Sequence, residues 1–200
     1  MFKKIRIAGE KDLSYLLGLK KFIFLITIIL LATGVLGYFF IKSDPESTKS
    51  ILGVFEDLAQ KTANLKSYEL LILIFLNNGL KILAVAFLGI LFGIAPIFFT
   101  ALNGFLIGMV AFLIQENHSW NTFWLGILPH GIFEIPALII GSAIGLKLGF
   151  SFFKFIRKKG ELKAELKRAF LFSFRFILPI LLFAAFAEVF ISQIIVNIIK

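Results

Sequence analysis

Apolar residues run along this chain in long, nearly unbroken stretches, at residues 22–41, 69–92, 96–114, 123–150 and 170–198. Each is about 20 residues or more, the length at which a helix rising 1.5 Å per residue crosses roughly 30 Å of hydrocarbon. The pattern predicts an all-α fold, a polytopic helical membrane protein with five transmembrane helices in a single membrane domain. The first stretch follows Lys20-Lys21 and is longer than the roughly 7–15 apolar residues of a secretory signal. No clean small-x-small cleavage site follows it, so it reads as an anchor.

The segments between the spans have their own patterns. Ser43-Asp44-Pro45-Glu46 is a helix-start signature, a capping side chain with proline just inside and glutamate after it. Ile51, Phe55, Leu58 and Leu65 then recur at about helical spacing with charges opposite, which predicts an amphipathic outer-surface helix over 43–67. It lies either on the membrane or across the bundle ends. The second and third spans follow so closely that a tight antiparallel hairpin is expected, with Ile94-Ala95-Pro96 as its turn. Residues 115–122 form a short outer loop, and Trp120 and Trp124 suit an interface. The fourth helix is expected to run on to Lys159 and stop at Gly160, with Pro129 and Pro136 interrupting its first half. A basic amphipathic stretch leads into the fifth span.

Small residues recur at four-residue spacing: Gly89 and Gly93, Gly104 and Gly108, then Gly141, Gly145 and Gly149. That spacing puts a smooth groove on one helix face, where backbones approach closely in lipid. It predicts a compact core of spans two to four, with spans one and five more peripheral.

Composition removes the soluble alternatives. The chain is 59% hydrophobic with 26 phenylalanines, and its mean hydropathy is +0.95. Soluble domains are nearer 45–50% apolar. Cysteine is absent, so thiol chemistry and cysteine metal sites are excluded. The net charge of +9 does not indicate nucleic acid, because the bases cluster beside spans, in residues 1–21 and 151–169. Residues 42–68 balance their lysines with acids, and 115–122 carry no base. This asymmetry places both basic segments in the cytoplasm against anionic headgroups. A multi-pass protein of the cell membrane is expected, with a cytoplasmic N-terminus and an external C-terminus.

Polar residues inside the spans change the picture again. A charge at the centre of a bilayer costs roughly 2.5–3.5 kcal/mol on insertion scales. The second span nevertheless carries Asn77, Asn78 and Lys81, the third Asn103, the fourth His130 and Glu134, and the fifth Arg175 and Glu188. Counting from the outer ends puts all but Arg175 at a similar depth, roughly 10–18 Å. Arg175 sits near the inner end and is expected to snorkel. Asn77 and Lys81 share a helix face, as do His130 and Glu134. One buried polar cluster is expected, of Asn77, Asn78, Lys81, Asn103, His130 and Glu134, with Glu188 as an addition and a glutamate paired to Lys81. The plainer alternative is polar glue between helices, worth roughly 0.6–2 kcal/mol per residue.

The chemistry open to such a cluster is narrow. His130 and Glu134 are candidate metal ligands, but a metal site needs a third protein ligand, and His118 lies in the outer loop. The pair also suits a general base with its orienting carboxylate. No serine sits in a nucleophile motif, and phosphate-binding and dinucleotide glycine loops are missing. The catalytic residues are unassigned, and no cofactor is implied.

The order of these motifs resembles the stage II sporulation protein M family. The resemblance rests on Phe-Leu-Asn-Asn at 75–78, Gly89 with Gly93, Asn103-Gly104 with Gly108, Pro129-His130-Gly131 with Glu134, and the small residues up to Gly145. It is close over 70–150 and looser over the whole layout. It implies a five-span membrane protein. The namesake anchors a peptidoglycan-degrading complex during spore formation, but relatives occur in organisms that neither sporulate nor make peptidoglycan. The family's Asn, His and Glu positions carry over to Asn77, Asn78, Asn103, His130 and Glu134, without a catalytic assignment.

The leading expectation is a non-enzymatic membrane scaffold or assembly factor with a protein partner in the bilayer. The exposed glycine grooves leave room for a homodimer. The alternatives are an intramembrane hydrolase of lipid or peptide using His130 and Glu134, and a transporter or lipid-moving protein using the cluster as a polar path.

Overall fold

A computed structural model of the chain describes residues 2–43, 53, 57, 60–62, 64–117 and 120–191, with side chains at 2–8, 117, 121–130 and 191 left out of the description. The helices are α1 (Phe2–Gly18), α2 (Lys20–Ser43), α3 (Ser67–Leu88), α4 (Ile94–Asn117), α5 (Trp120–Ile156), α6 (Leu162–Phe172) and α7 (Leu178–Phe186). A π-helical turn at Ser173–Ile177 joins α6 to α7, and a second, Ala187–Ile191, follows. No strand occurs among the described residues. Among the described residues five helices are long and apolar enough to cross a membrane: Lys20–Ser43, Ser67–Leu88, Ile94–Glu116, Gly131–Ile156 and Leu162–Phe190.

Helix α5 is the axis of the bundle. Its span is 50% buried, against 17% for α2, and it touches α2, α3, α4, α6 and α7. Around it the helices pair by glycine. On α2, Gly37 meets the backbone of Phe105 on α4, and Gly108 of α4 meets the Gly34 carbonyl. Gly104 meets the Thr33 hydroxyl and the Leu30 carbonyl. The first span is thus the least buried of the five, as expected, yet it packs closely on the third. The fifth, 39% buried against 22% for the second, is not peripheral, and the expected core of spans two to four is corrected on this point. On the first span, Thr33, Gly34 and Gly37 supply the smooth strip that α4 needs, because backbone approach is what holds helices together in lipid. A second seam joins α3 to α5. Gly89 abuts Gly145, Gly141 faces the Ile82 side chain, and a Cβ on Gly145 would stand 2.8 Å from the Val85 carbonyl.

The expected hairpin of the second and third spans is also corrected. Helices α3 and α4 make only slight contact; α4 leans on α2 and α5, and α3 on α5 and α7. The turn between them is Gly89–Gly93, while Ile94, Ala95 and Pro96 already form the first turn of α4. Proline loses nothing there, since the first N–H groups of a helix have no partner within it. Phe92 and Gly93 adopt φ of 58° and 74°, the left-handed region that reverses the chain. Gly93 has a second reason to be glycine, as a Cβ there would lie 2.6 Å from Leu146 Cδ1.

The long fourth helix runs through Pro129 and Pro136 and ends at Ile156, where Lys158 rather than Gly160 takes the positive φ, 55°. The basic stretch after it leads straight into the fifth span, as expected, and α6, the π turns and α7 make one continuous rod. The first π turn ends two residues before Pro179. Proline has no N–H and its ring crowds the carbonyl four residues back, so an inserted residue relieves the strain.

Residues 2–18, read from sequence as a basic tail, are helical. On α1, Asp12 and Tyr15 are buried while Leu13 and Leu17 are exposed, and the helix lies against α2 and α6. The expected surface helix at 43–67 falls largely outside the described residues. Within it, Asp57 and Lys61 pair at 2.6 Å. At the start of α3 the Glu69 carboxylate accepts the Lys66 backbone N–H at 2.8 Å.

Candidate intramembrane polar site

The polar residues of α3 sit at its centre. The helix spans Ser67–Leu88, so Asn77 and Asn78 flank its midpoint, and Lys81 follows one turn later. Asn77 and Lys81 are exposed on the outward face, and Asn78 is half-buried. The Asn77 amide donates to Asn78 Oδ1 at 3.3 Å. No ion pair among the described residues includes Lys81. Around Asn77 the helix presents an open apolar groove lined by Leu73, Leu76 and Leu80, with Glu69 toward its start.

The other candidates have separate surroundings. Asn103 is half-buried on α4 and donates to the Phe99 carbonyl at 2.8 Å, turning back onto its own helix. Glu134 on α5 and Glu188 in the second π turn are half-buried, and each is engaged by another group. The helix α5 and that π turn both adjoin α3. His130 lies in α5, with its side chain outside the described residues. Among the described residues no three His, Cys, Asp or Glu side chains come together as a metal site. The structure thus joins Asn77 to Asn78, turns Lys81 outward, and ties Asn103 to its own backbone.

Sequence reasoning missed a second charged site, at the basic end of the bundle. Lys147 of α5 pairs with Glu165 of α6 at 2.8 Å, with side chains only 18% and 13% exposed. The ammonium also stands 4.1 Å from the centre of the Tyr15 ring, which packs 5.2 Å from Phe172. Burial, and then the neighbouring Glu165 charge, push the Tyr15 hydroxyl pKa well above its usual range. Beside this group Arg175 reaches Asp12 of α1 at 3.1 Å, so the arginine read as a lone snorkelling residue has a carboxylate partner. The available signal was Lys147 itself, the single charge in the apolar run 135–153. At the other end, Tyr38 donates to Gln115 Oε1 at 2.8 Å and stacks on Trp120 at 6.4 Å.

Known proteins give this arrangement a context. Two uncharacterized proteins of Methanocaldococcus jannaschii are similar to the chain. One is 31% identical over 121 residues, covering 58% of this chain and 68% of its own length. The other is 27% identical over 145 residues, covering 68% of this chain and 63% of its own. The chain thus spans about two thirds of the length of these relatives. No solved structure matches it. The family model described as stage II sporulation protein M matches residues 24–193, which covers four of the five apolar helices whole and the first from its second turn on. This helical, multi-span chain belongs to the stage II sporulation protein M family.

Proposed function

We propose that the protein is a membrane scaffold or assembly factor that works by holding a partner rather than by catalysis. One observation carries the reading: Asn77 and Lys81 are exposed on the outward face of α3 near the middle of a membrane span. In hydrocarbon an ammonium without a counter-charge, beside an amide bonded only to the neighbouring Asn78, is unfavourable, and a bound neighbour supplies what the bundle does not. The glycine seams support the same reading, since backbone contact between α2 and α4 and between α3 and α5 makes a stiff platform. In a cell membrane the basic end, with α1 and the α5–α6 junction, faces the cytoplasm, and the C-terminus lies outside.

The test is the size of the complex in native membranes. The scaffold migrates on native electrophoresis in an assembly larger than the 22.5 kDa chain. Asn77→Leu with Lys81→Met shrinks that assembly, whereas His130→Ala with Glu134→Ala leaves it intact as long as the helices still fold. An assembly dependent on His130 and Glu134 but indifferent to the α3 face overturns the proposal in favour of chemistry or transport at the cluster.

A further inference from the structure

Resting on the scaffold reading, we infer that the partner at α3 is a membrane-spanning helix bearing a carboxylate that meets Lys81, with a hydrogen-bonding side chain one turn away against Asn77. The two residues stand four apart on one face, and apolar Leu73, Leu76 and Leu80 line a groove along the Asn77 side of it. The face therefore has an apolar groove with one amide set into it and one exposed cation beside it, a turn further along. A carboxylate complements the cation, and a charge-assisted hydrogen bond is the strong form of that contact.

Two other occupants fit less well. Anionic lipid would have to satisfy both groups from the headgroup layer. Lys81 lies about 10 Å along the axis from Leu88, farther than its side chain spans, and Asn77 sits at the midpoint with a side chain too short to snorkel. A second copy of the chain, related by a twofold axis along the membrane normal, brings α3 against α3 at equal depth. That arrangement sets Lys81 against Lys81, and like charges repel. A different helix carrying an acid has neither difficulty.

The purified full chain in phosphatidylcholine vesicles tests this directly. The probe is a synthetic Leu/Ala helix of about 22 residues, long enough to span, with one Glu at the depth of Lys81. Matched helices carry Gln, Leu or Lys at that position. Energy transfer between labelled protein and labelled helix reads association. The Glu helix is expected to bind roughly three- to tenfold more tightly than the Leu helix. Lys81→Met removes the preference, and Lys81→Glu transfers it to the Lys helix. Circular dichroism checks that each variant keeps its helices. Lys81→Met replaces an exposed side chain, so it remains informative where Lys81→Glu does not fold.

Equal binding of the Glu and Leu helices overturns the inference. So does a preference that survives Lys81→Met, or one that anionic phosphatidylglycerol alone abolishes, which points to lipid. Lys81-dependent transfer between two labelled copies of the chain, with no response to the probe helices, assigns the face to a second copy and equally overturns it. The scaffold reading fails separately. A native assembly that persists in Lys81→Met while the probes show no preference sinks this inference alone, and the absence of any native assembly sinks the scaffold.

Discussion

A glycine in this bundle is defined by what a methyl group would strike. Gly108 faces the Gly34 carbonyl and Gly145 lies under the Val85 carbonyl, whereas nothing approaches within 4 Å of Gly9. Gly108→Val and Gly145→Val are expected to destabilise the protein by about 1–3 kcal/mol or more through overpacking, and Gly9→Ala, exposed inside helix α1, to stabilise it by up to about 1 kcal/mol through helix propensity. Thermal unfolding in detergent measures all three. Asn103 makes a contrasting case. Its amide is satisfied by the Phe99 carbonyl of its own helix, so Asn103→Leu should cost no more than about 0.6 kcal/mol in the same melt. The sequence marked Asn103 as out of place in lipid. It did not show which way the side chain turned, because an amide can bond across to a neighbour or back along its own helix with little difference in local pattern.

At the scale of elements, α1 is held to the bundle by charge. Lys147 and Glu165 close over Tyr15, and Arg175 holds Asp12. Removing one partner of a mostly buried pair leaves a stranded charge, so Glu165→Gln should loosen α1 by up to about 3 kcal/mol, read as faster amide exchange over residues 9–18. Alkaline pH should loosen it too. The Tyr15 pKa is raised in the docked state, so the stabilisation is fully present below the ordinary tyrosine value near 10 and declines as pH rises past it. Tyr15→Phe should remove that component, and amide exchange of the two proteins across pH 8–11 compares them. None of this network was legible in the pattern of spans. Residues 1–21 announced their charge, but amphipathy alone did not say that Tyr15 and Asp12 would turn inward, since their partners lie more than a hundred residues away in sequence.

The whole molecule is a set of helices around α5, whose 37 residues extend about 55 Å. Among its described residues Gly131–Ile156 is long and apolar enough to cross a membrane. The proposed orientation makes a direct prediction. The chain has no cysteine, so single substitutions report sidedness cleanly. Lys42→Cys should react with a membrane-impermeant maleimide in intact cells, and Lys159→Cys only after permeabilisation. The reverse result would invert the proposed topology.

Sequence alone determined the solvent and the number of crossings, because lipid demands apolar runs of a length set by bilayer thickness and allows little else. It also marked the glycines and the misplaced polar residues, since both are local departures from an apolar background. Which helices pair was decided only by tertiary structure. Gly34 and Gly37 meet α4, and the α3–α4 hairpin opens, because in lipid every apolar face is equally content and close backbone fit chooses among partners. The same choice turned Lys81 outward and Lys147 inward: an isolated charge has one sequence signature, and its neighbour across the bundle determines whether it is paired or left facing out.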